Sequence, residues 1–259
     1  MPTIQVNGET IHYVREGQGP TLAMFHSLGT NSYLWTDQIA AVKDRFTCVA
    51  FDARGHGMST NVGGVTNQAV AEDAHAALKE MGLLPAVVMG ISMGGLQCAR
   101  FHDLAPKDVT AIVYADSFAH IGEAGVERVK MIEATLDEKS MADYAADYTA
   151  QTLLPGTAAR HKDALTAAIA GMRAADYLQM TRSVFTEDVC DHLKRISKPM
   201  KIVVGDQDQR TPLAASEYVK ALVPQAELEV IPGAAHLANI DNPAGFMAAV
   251  GPFLDRFAG

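Results

Sequence analysis

Short apolar runs alternate with amphipathic stretches along most of this chain. Six runs are nearly continuous in apolar residues and have the length of strands, which is typical of parallel strands buried on both faces of a sheet. They are Thr21 to Phe25, Thr47 to Phe51, Ala86 to Met89, Val109 to Tyr114, Lys201 to Val204 and Glu227 to Ile231. Two shorter runs, Thr3 to Val6 and Thr10 to Val14, flank the hairpin signal Asn7-Gly8 and predict an antiparallel edge.

The stretches between the strands carry apolar residues at intervals of three and four, and therefore predict helices. These helices are Tyr33 to Lys43, Asn67 to Met81, Met93 to Leu104, Leu213 to Leu222 and Pro243 to Arg256. Strands that alternate with helices predict an α/β fold, with a mostly parallel central sheet and helices on both faces.

Residues 117–198 interrupt this alternation. They contain helical patches at Val126 to Leu136 and Ala164 to Arg173. A compact domain does not carry about 80 residues without secondary structure, so we predict several short helices here. The predicted organisation is a core of residues 1–116 and 199–259, with residues 117–198 inserted as a helical cap over the carboxyl ends of the strands.

A nucleophile signature, Gly90-Ile-Ser92-Met-Gly94, lies between an apolar strand and a predicted helix. A serine on a sharp strand-to-helix turn has its hydroxyl lifted clear of the sheet. Such a turn brings backbone segments too close for side chains at Gly90 and Gly94. Ser92 is therefore the predicted nucleophile.

A serine nucleophile needs a base to take its proton and a third group to hold that base. His236, on a small-residue loop just past the last predicted strand, is the predicted base. Asp208 is favoured as the carboxylate, because it lies far enough into its loop to reach His236. The nearby Asp206 is expected to cap its own turn. Asp116 is a third candidate, for which we favour a solvated loop acid or a helix cap.

Acyl transfer also needs backbone donors aimed at the oxyanion that develops on the substrate. The amide of Met93, directly after the nucleophile, is one predicted donor. The amide of Leu28, in the loop that follows the strand Thr21 to Phe25, is the other.

The segment from Asp52 to Ser59 resembles a glycine-rich loop that binds a ligand. However, Gly55-His-Gly57 lacks the third glycine of a dinucleotide fingerprint. We interpret it as a structural turn in which Asp52 and Arg54 pair. The sequence contains no His-x-His or Cys-x-x-Cys pattern, so neither a cofactor nor a metal is predicted.

A formal net charge of −9 and the absence of basic runs argue against a nucleic-acid partner. No apolar run approaches the roughly 20 residues that a membrane span needs, and the first residues lack the features of a signal peptide. Cys48, Cys98 and Cys190 are too few for a disulfide framework. We expect a cytoplasmic protein with a small-molecule partner, and the sequence does not indicate an oligomeric state.

Five motifs in this order resemble the α/β-hydrolase fold superfamily over essentially the whole chain. They are His26-Ser-Leu-Gly-Thr30, Asp52-x-Arg-Gly-x-Gly-x-Ser59, Gly90-Ile-Ser92-Met-Gly-Gly95, Gly205-x-x-Asp208-x-x-Thr-Pro212 and His236 near the end. The first loop, the short cap and the sequence Ile-Pro-Gly-Ala-Ala-His-Leu-Ala-Asn are most similar to 3-oxoadipate enol-lactonases and related carboxylic-ester hydrolases. The resemblance implies a triad of Ser92, Asp208 and His236, with Leu28 and Met93 as oxyanion donors.

The predicted function is therefore a serine hydrolase that cleaves a carboxylic ester or lactone of a small organic acid through an acyl-enzyme. One alternative is a carbon-carbon bond hydrolase or a cofactor-free perhydrolase that uses the same triad. A further alternative is a non-catalytic ligand-binding protein on this fold. Arg173 and Arg182 of the cap are candidates to hold a substrate carboxylate, although arginines on such helices more often face solvent.

Overall fold

The computed structural model describes residues 2–259. Eight strands within these residues form one sheet. In chain order they are β1 Thr3–Val6, β2 Glu9–Gly17, β3 Thr21–Phe25, β4 Thr47–Phe51, β5 Ala86–Ile91, β6 Val109–Ala115, β7 Met200–Gly205 and β8 Glu227–Ile231. Their spatial order is β1-β2-β4-β3-β5-β6-β7-β8. The pairs β1–β2 and β2–β4 are antiparallel, and the other five pairs are parallel.

The same residues contain eleven α-helices. They are α1 Thr36–Val42, α2 Asn67–Glu80, α3 Met93–Leu104, α4 Glu123–Glu138, α5 Met141–Thr152, α6 Ala159–Ala170, α7 Ala174–Thr186, α8 Cys190–Lys194, α9 Leu213–Leu222, α10 Ala238–Asp241 and α11 Pro243–Asp255. In the part of the chain that is described, none of these helices has the length and apolar character needed to cross a membrane.

The hydrophobic core is centred on the five strands β3 to β7, which are buried along nearly their whole length. Helix α3 packs against β3, β5 and β6, while α9 and α11 pack against β7. Burial on both faces explains why these strands consist of almost uninterrupted apolar residues. The predicted mostly parallel sheet with helices on both faces is confirmed.

Most predicted elements agree with the structure, and the differences have local causes. The helix predicted from Tyr33 begins only at Thr36, because residues Ser32–Trp35 form a 3-10 turn. The amide of Tyr33 in this turn donates to the Asn31 side chain. The helical patch predicted to end at Arg173 stops at Ala170, and α7 begins after a short break. For helices α5, α7 and α8 the sequence predicts only that short helices occur in residues 117–198, without their bounds.

The topology gathers four loops at one edge of the sheet. Parallel strands β3, β5, β7 and β8 all have their carboxyl ends at this edge, where open α/β sheets bind ligands. The residues that follow those ends include Leu28, Ser92, Asp208 and His236. Helices α4 to α8 follow the carboxyl end of β6, at the same edge.

Candidate active site

Ser92 lies on a strained turn between β5 and α3. Its φ of 56° and ψ of −118° belong to a region that costs a residue with a side chain about 1–3 kcal/mol. A Cβ at Gly90 would lie 2.1 Å from the carbonyl oxygen of Gly94, and a Cβ at Gly94 would lie 2.1 Å from that of Phe25. The predicted steric requirement for both glycines is confirmed.

The end of β6 holds this turn in place. The amide of Ser92 donates to the carbonyl of Ala115 over 2.8 Å, and the hydroxyl of Ser117 donates to the carbonyl of Ser92 over 2.6 Å. A Cβ at Gly95 would lie 2.4 Å from the Ser117 oxygen, so this third glycine keeps that hydrogen bond possible. The strained backbone is therefore fixed from a neighbouring strand.

Ser92, His236 and Asp208 form one hydrogen-bonded chain. Ser92 Oγ lies 2.9 Å from His236 Nε2, and His236 Nδ1 lies 2.9 Å from Asp208 Oδ2. An ionised carboxylate only accepts, so Nδ1 carries the proton of a neutral imidazole. Nε2 is then free to accept the proton of the serine hydroxyl, which is the arrangement needed to generate an alkoxide nucleophile.

Asp208 is held by its own loop as well as by the histidine. Its carboxylate accepts from the amides of Arg210 and Thr211 over 2.7 and 2.9 Å, and from the Thr211 hydroxyl over 2.6 Å. Burial by itself raises the pKa of Asp208, but the positive charge that His236 carries when protonated and these hydrogen bonds outweigh burial, and the net pKa is lowered. The group therefore stays ionised at neutral pH.

Asp206 supports the site from a distance. Its carboxylate accepts from the amides of Gly233 and Ala234 over 2.9 and 3.3 Å. It therefore holds the turn that precedes His236, not its own turn as expected.

Asp116 is buried behind the site, so it is not a solvated loop acid, but the alternative of a helix cap agrees with its bond to the first residue of α10, Ala238. Its carboxylate accepts from the amides of Gly205 and Ala238 over 2.8 and 3.3 Å. Burial raises the pKa of Asp116 well above its ordinary value, and the charge of Asp208 adds to this effect. Asp116 therefore contacts the loops of the acid and the base without reaching the histidine ring.

The amides of Leu28 and Met93 remain the candidate oxyanion donors. In these two turns the amides of Thr30, Ser92 and Gly95 donate to backbone carbonyls, and those of Leu28 and Met93 are not among the backbone donors of the described residues. Leu28 lines the same cavity as Ser92, and Met93 directly follows it at the start of α3. Both predicted oxyanion donors thus lie beside the serine.

His26 fixes the loop that carries Leu28. Its Nδ1 donates to the carbonyl of Ser27 over 2.7 Å, and its Nε2 accepts from the amide of Ala53 over 3.0 Å. Burial lowers the pKa of His26, so the ring stays neutral and can make both bonds. The loop is thereby tied to the end of β4.

Comparison with known proteins shows the family. A family model described as alpha/beta hydrolase fold matches residues 20–243. The chain belongs to this family. A 3-oxoadipate enol-lactonase of Acinetobacter baylyi is 29% identical over 98% of this chain and 97% of its own length. A non-heme chloroperoxidase of Kitasatospora aureofaciens is 26% identical over 89% of this chain and 90% of its own length.

A solved structure gives the same result at the level of the fold. A hydrolase of Pseudomonas aeruginosa superimposes with a TM-score of 0.90 at 26% identity, covering 98% of this chain and 97% of that one. The predicted α/β-hydrolase fold and the predicted enzyme class are confirmed.

A narrow cavity of about 40 Å³ lies over Ser92 in this α/β hydrolase. Helices α4, α5 and α7 supply half of its lining residues, and the whole lining includes apolar side chains, two arginines and three tyrosines. The lining residues are Leu28, Ser92, Phe118, Ile121, Arg128, Ile132, Tyr144, Tyr148, Tyr177, Val184, Phe185, Arg210, Thr211 and His236. At this size the cavity holds a few water molecules.

The arginines at this cavity are not those expected from the sequence. Arg173 pairs with Asp176 over 2.6 Å, and Arg182 pairs with Glu133 over 2.7 Å, both with largely exposed side chains. Neither lines the cavity over Ser92, whereas Arg128 and Arg210 do. Arg210 stands two residues after the predicted acid, a proximity that offered a signal. Arg128 lies far away in the chain, and no motif marks it.

The predicted pairing of Asp52 with Arg54 is wrong. Asp52 accepts from His12 Nδ1 over 2.8 Å and from the amide of Met58 over 2.9 Å. The Arg54 guanidinium donates to Asp73 of α2, with one bond of 2.8 Å. The two side chains diverge, because Asp52 turns toward β2 while Arg54 crosses to α2. The segment is nevertheless a structural turn, as expected.

Within residues 2–259, no cluster of three or more acidic, histidine or cysteine side chains is arranged to hold a metal ion.

Proposed function

We propose that this α/β hydrolase cleaves a carboxylic ester or lactone of a small organic acid, with Ser92 as nucleophile. The observation that carries the proposal is the chain of two 2.9 Å hydrogen bonds that joins Ser92 to His236 and His236 to Asp208. The enol-lactonase name of the 29% identical relative supports a lactone or ester as the substrate class.

In the first half-reaction, Ser92 Oγ attacks the substrate carbonyl carbon while His236 Nε2 takes the hydroxyl proton. The amides of Leu28 and Met93 donate to the oxyanion that forms, in a site where buried donors are worth most. Asp208 stabilises the imidazolium. The tetrahedral intermediate then collapses, its bond to the leaving oxygen breaks, and His236 gives that oxygen the proton.

In the second half-reaction, water attacks the acyl-enzyme and gives its proton to His236 Nε2. The bond from Ser92 Oγ to the acyl carbon breaks, and the proton returns to Ser92. The acid is released and the enzyme is regenerated. With a lactone, the new carboxylic acid and the released hydroxyl group remain on one product molecule.

We also propose that residues 117–198 act as a cap on the core formed by residues 1–116 and 199–259. Support comes from the wall of the cavity, much of which α4, α5 and α7 provide. A cap of this kind excludes water and strengthens every electrostatic interaction near Ser92.

The test is turnover by the wild type and by Ser92→Ala on p-nitrophenyl acetate and butyrate, small lactones including an enol-lactone, and a vinylogous diketone. We expect ester or lactone turnover that disappears in Ser92→Ala. Equal turnover by both proteins would overturn the role of Ser92. A preference for the diketone would favour carbon-carbon bond hydrolysis.

Peroxide is a further arm of this assay, because one relative is named a chloroperoxidase. Faster ester consumption with peroxide than with water as acceptor would favour perhydrolysis. Thermal stabilisation by a substrate without any product would support the ligand-binding alternative.

A further inference from the structure

Two guanidinium groups face the cavity over Ser92 without a carboxylate partner. Arg128 of α4 and Arg210, in the loop of Asp208, both line this cavity, whose lining includes no aspartate or glutamate. Within residues 2–259, neither arginine makes a salt bridge, whereas Arg160, Arg173 and Arg182 of the segment 117–198 each pair with an acid. Two unneutralised cations thus line the same cavity as the nucleophile, in a chain whose net charge is −9.

Both guanidinium groups are held in position by aromatic rings. Arg210 stacks over Tyr148 with its central carbon 4.3 Å from the ring centroid, and Arg128 lies 5.1 Å from that of Phe185. Stacking restrains the plane of the guanidinium but leaves its in-plane N–H groups free to donate. The Nε of Arg210 is buried and has no hydrogen-bond partner in the described part of the chain. A buried donor without an acceptor is costly, and a bound ligand could supply the acceptor.

The two arginines also line a second groove. This groove of about 360 Å³ shares both arginines with the cavity over Ser92 and is lined mainly by residues of α4 and α5. The carboxylate of that groove, Asp147, pairs with Lys139 and leaves the arginines unneutralised. Burial lowers the pKa of Arg128, and the charge of Arg210 lowers it further, so an anion placed between them would relieve their repulsion.

We propose that Arg128 and Arg210 bind a free carboxylate at the far end of the acyl part of the substrate. The hydrolase would then be selective for monoesters or lactones of dicarboxylic acids. Guanidinium groups bind carboxylates through paired, charge-assisted hydrogen bonds. The same lining includes the apolar side chains of Phe118, Ile132 and Val184, which suit a short aliphatic chain. This inference rests on the proposed hydrolase function.

The test compares a matched pair of substrates, monomethyl glutarate and the methyl ester of glutaric acid monoamide, which differ in the charge of the far end. The release of acid is followed in a pH-stat with the wild type, Arg128→Gln, Arg210→Gln and the control Arg182→Gln. We expect the wild type to prefer the carboxylate substrate. Each cavity variant should lower the ratio of the two kcat/KM values by about tenfold or more, as expected for losing hydrogen bonds to a charge. Arg182→Gln should keep the wild-type ratio.

A wild type without preference for the carboxylate would overturn the inference while leaving the hydrolase function intact. A ratio that does not fall in Arg128→Gln and Arg210→Gln would also overturn it. Calorimetric binding of glutarate gives a readout independent of turnover. If neither ester is hydrolysed but glutarate binds the wild type and not Arg210→Gln, the hydrolase proposal fails and the carboxylate site stands. If glutarate binds all variants equally, the site is refuted.

Discussion

The replacement Asp208→Asn changes one atom type in the most constrained carboxylate of the site. Asp208 Oδ1 accepts from the amides of Arg210 and Thr211, which can only donate. The asparagine must therefore keep its carbonyl oxygen in this position. Its amide nitrogen then takes the place of Oδ2, which lies 2.9 Å from His236 Nδ1.

This exchange of an acceptor for a donor reverses the histidine tautomer. His236 Nδ1 has to accept from the new amide, so its proton moves to Nε2. Nε2 lies 2.9 Å from Ser92 Oγ and can then only donate to it. The hydroxyl proton has no acceptor, and the imidazolium of the transition state loses its counter-charge.

The size of the effect follows from these two losses. The same change in the triad of a serine protease lowers kcat about 10⁴-fold, while the geometry stays intact. At about 1.4 kcal/mol per tenfold, this is about 5.5 kcal/mol of transition-state stabilisation. We expect kcat of Asp208→Asn to fall by about three to four orders of magnitude, with a much smaller change in KM.

The assay is steady-state hydrolysis of the best ester or lactone at neutral pH, after circular dichroism has shown that the variant is folded. Asp206→Asn is the matched control, because an amide oxygen can still accept from Gly233 and Ala234, and we expect it to stay within a few-fold of the wild type. The reasoning is refuted if Asp208→Asn keeps more than about a tenth of the wild-type kcat, or if Asp206→Asn is the more damaging variant.

Three further predictions concern stability. Gly94→Ala places a Cβ 2.1 Å from a carbonyl oxygen and should lower the free energy of unfolding in urea by about 1–3 kcal/mol. In the control Gly251→Ala the new Cβ meets no atom within 4 Å, and the free energy of unfolding should rise by about 0.5–1 kcal/mol. Similar effects of both replacements would contradict the steric explanation. Burial raises the pKa of Asp116 above 3.8, so the folded wild type keeps a proton that the unfolded chain releases. The stability of Asp116→Asn relative to the wild type should therefore increase as pH rises from about 4 to about 7. A difference in Tm that does not depend on pH would contradict the raised pKa. Arg54→Met leaves Asp73 buried without its partner and should cost about 3–5 kcal/mol, and a loss below about 1 kcal/mol would contradict the pairing.

The sheet could be predicted because a strand covered on both faces leaves a continuous apolar run in the sequence. The runs that become β3 and β4 have the observed bounds. The sequence does not place helices α5 and α7, since polar residues form much of their buried faces. These are Tyr148, Thr149 and Thr152 of α5 and Asp176, Tyr177 and Thr181 of α7. Tyr144 and Tyr177 contact each other through hydroxyl groups 3.0 Å apart, so polar atoms lie inside and blur the amphipathic pattern.

The residues at the carboxyl ends of strands could be predicted because each follows its strand within a few positions and within a motif. Arg128 could not, because only the tertiary fold brings α4 and the loop of Arg210 to the same cavity. The Asp52–Arg54 pairing failed for a related reason. Proximity in sequence does not determine direction, and the two side chains leave the turn toward different elements.

The most direct test of the central claim, that His236 activates Ser92 as a nucleophile, is covalent labelling with a fluorophosphonate ester followed by intact-protein mass spectrometry and peptide mapping. We expect one adduct per chain in the wild type, on Ser92, with fluoride as the leaving group. Ser92→Ala should gain no mass. A wild type that resists labelling, or an adduct that persists in Ser92→Ala, would show that Ser92 is not the activated nucleophile.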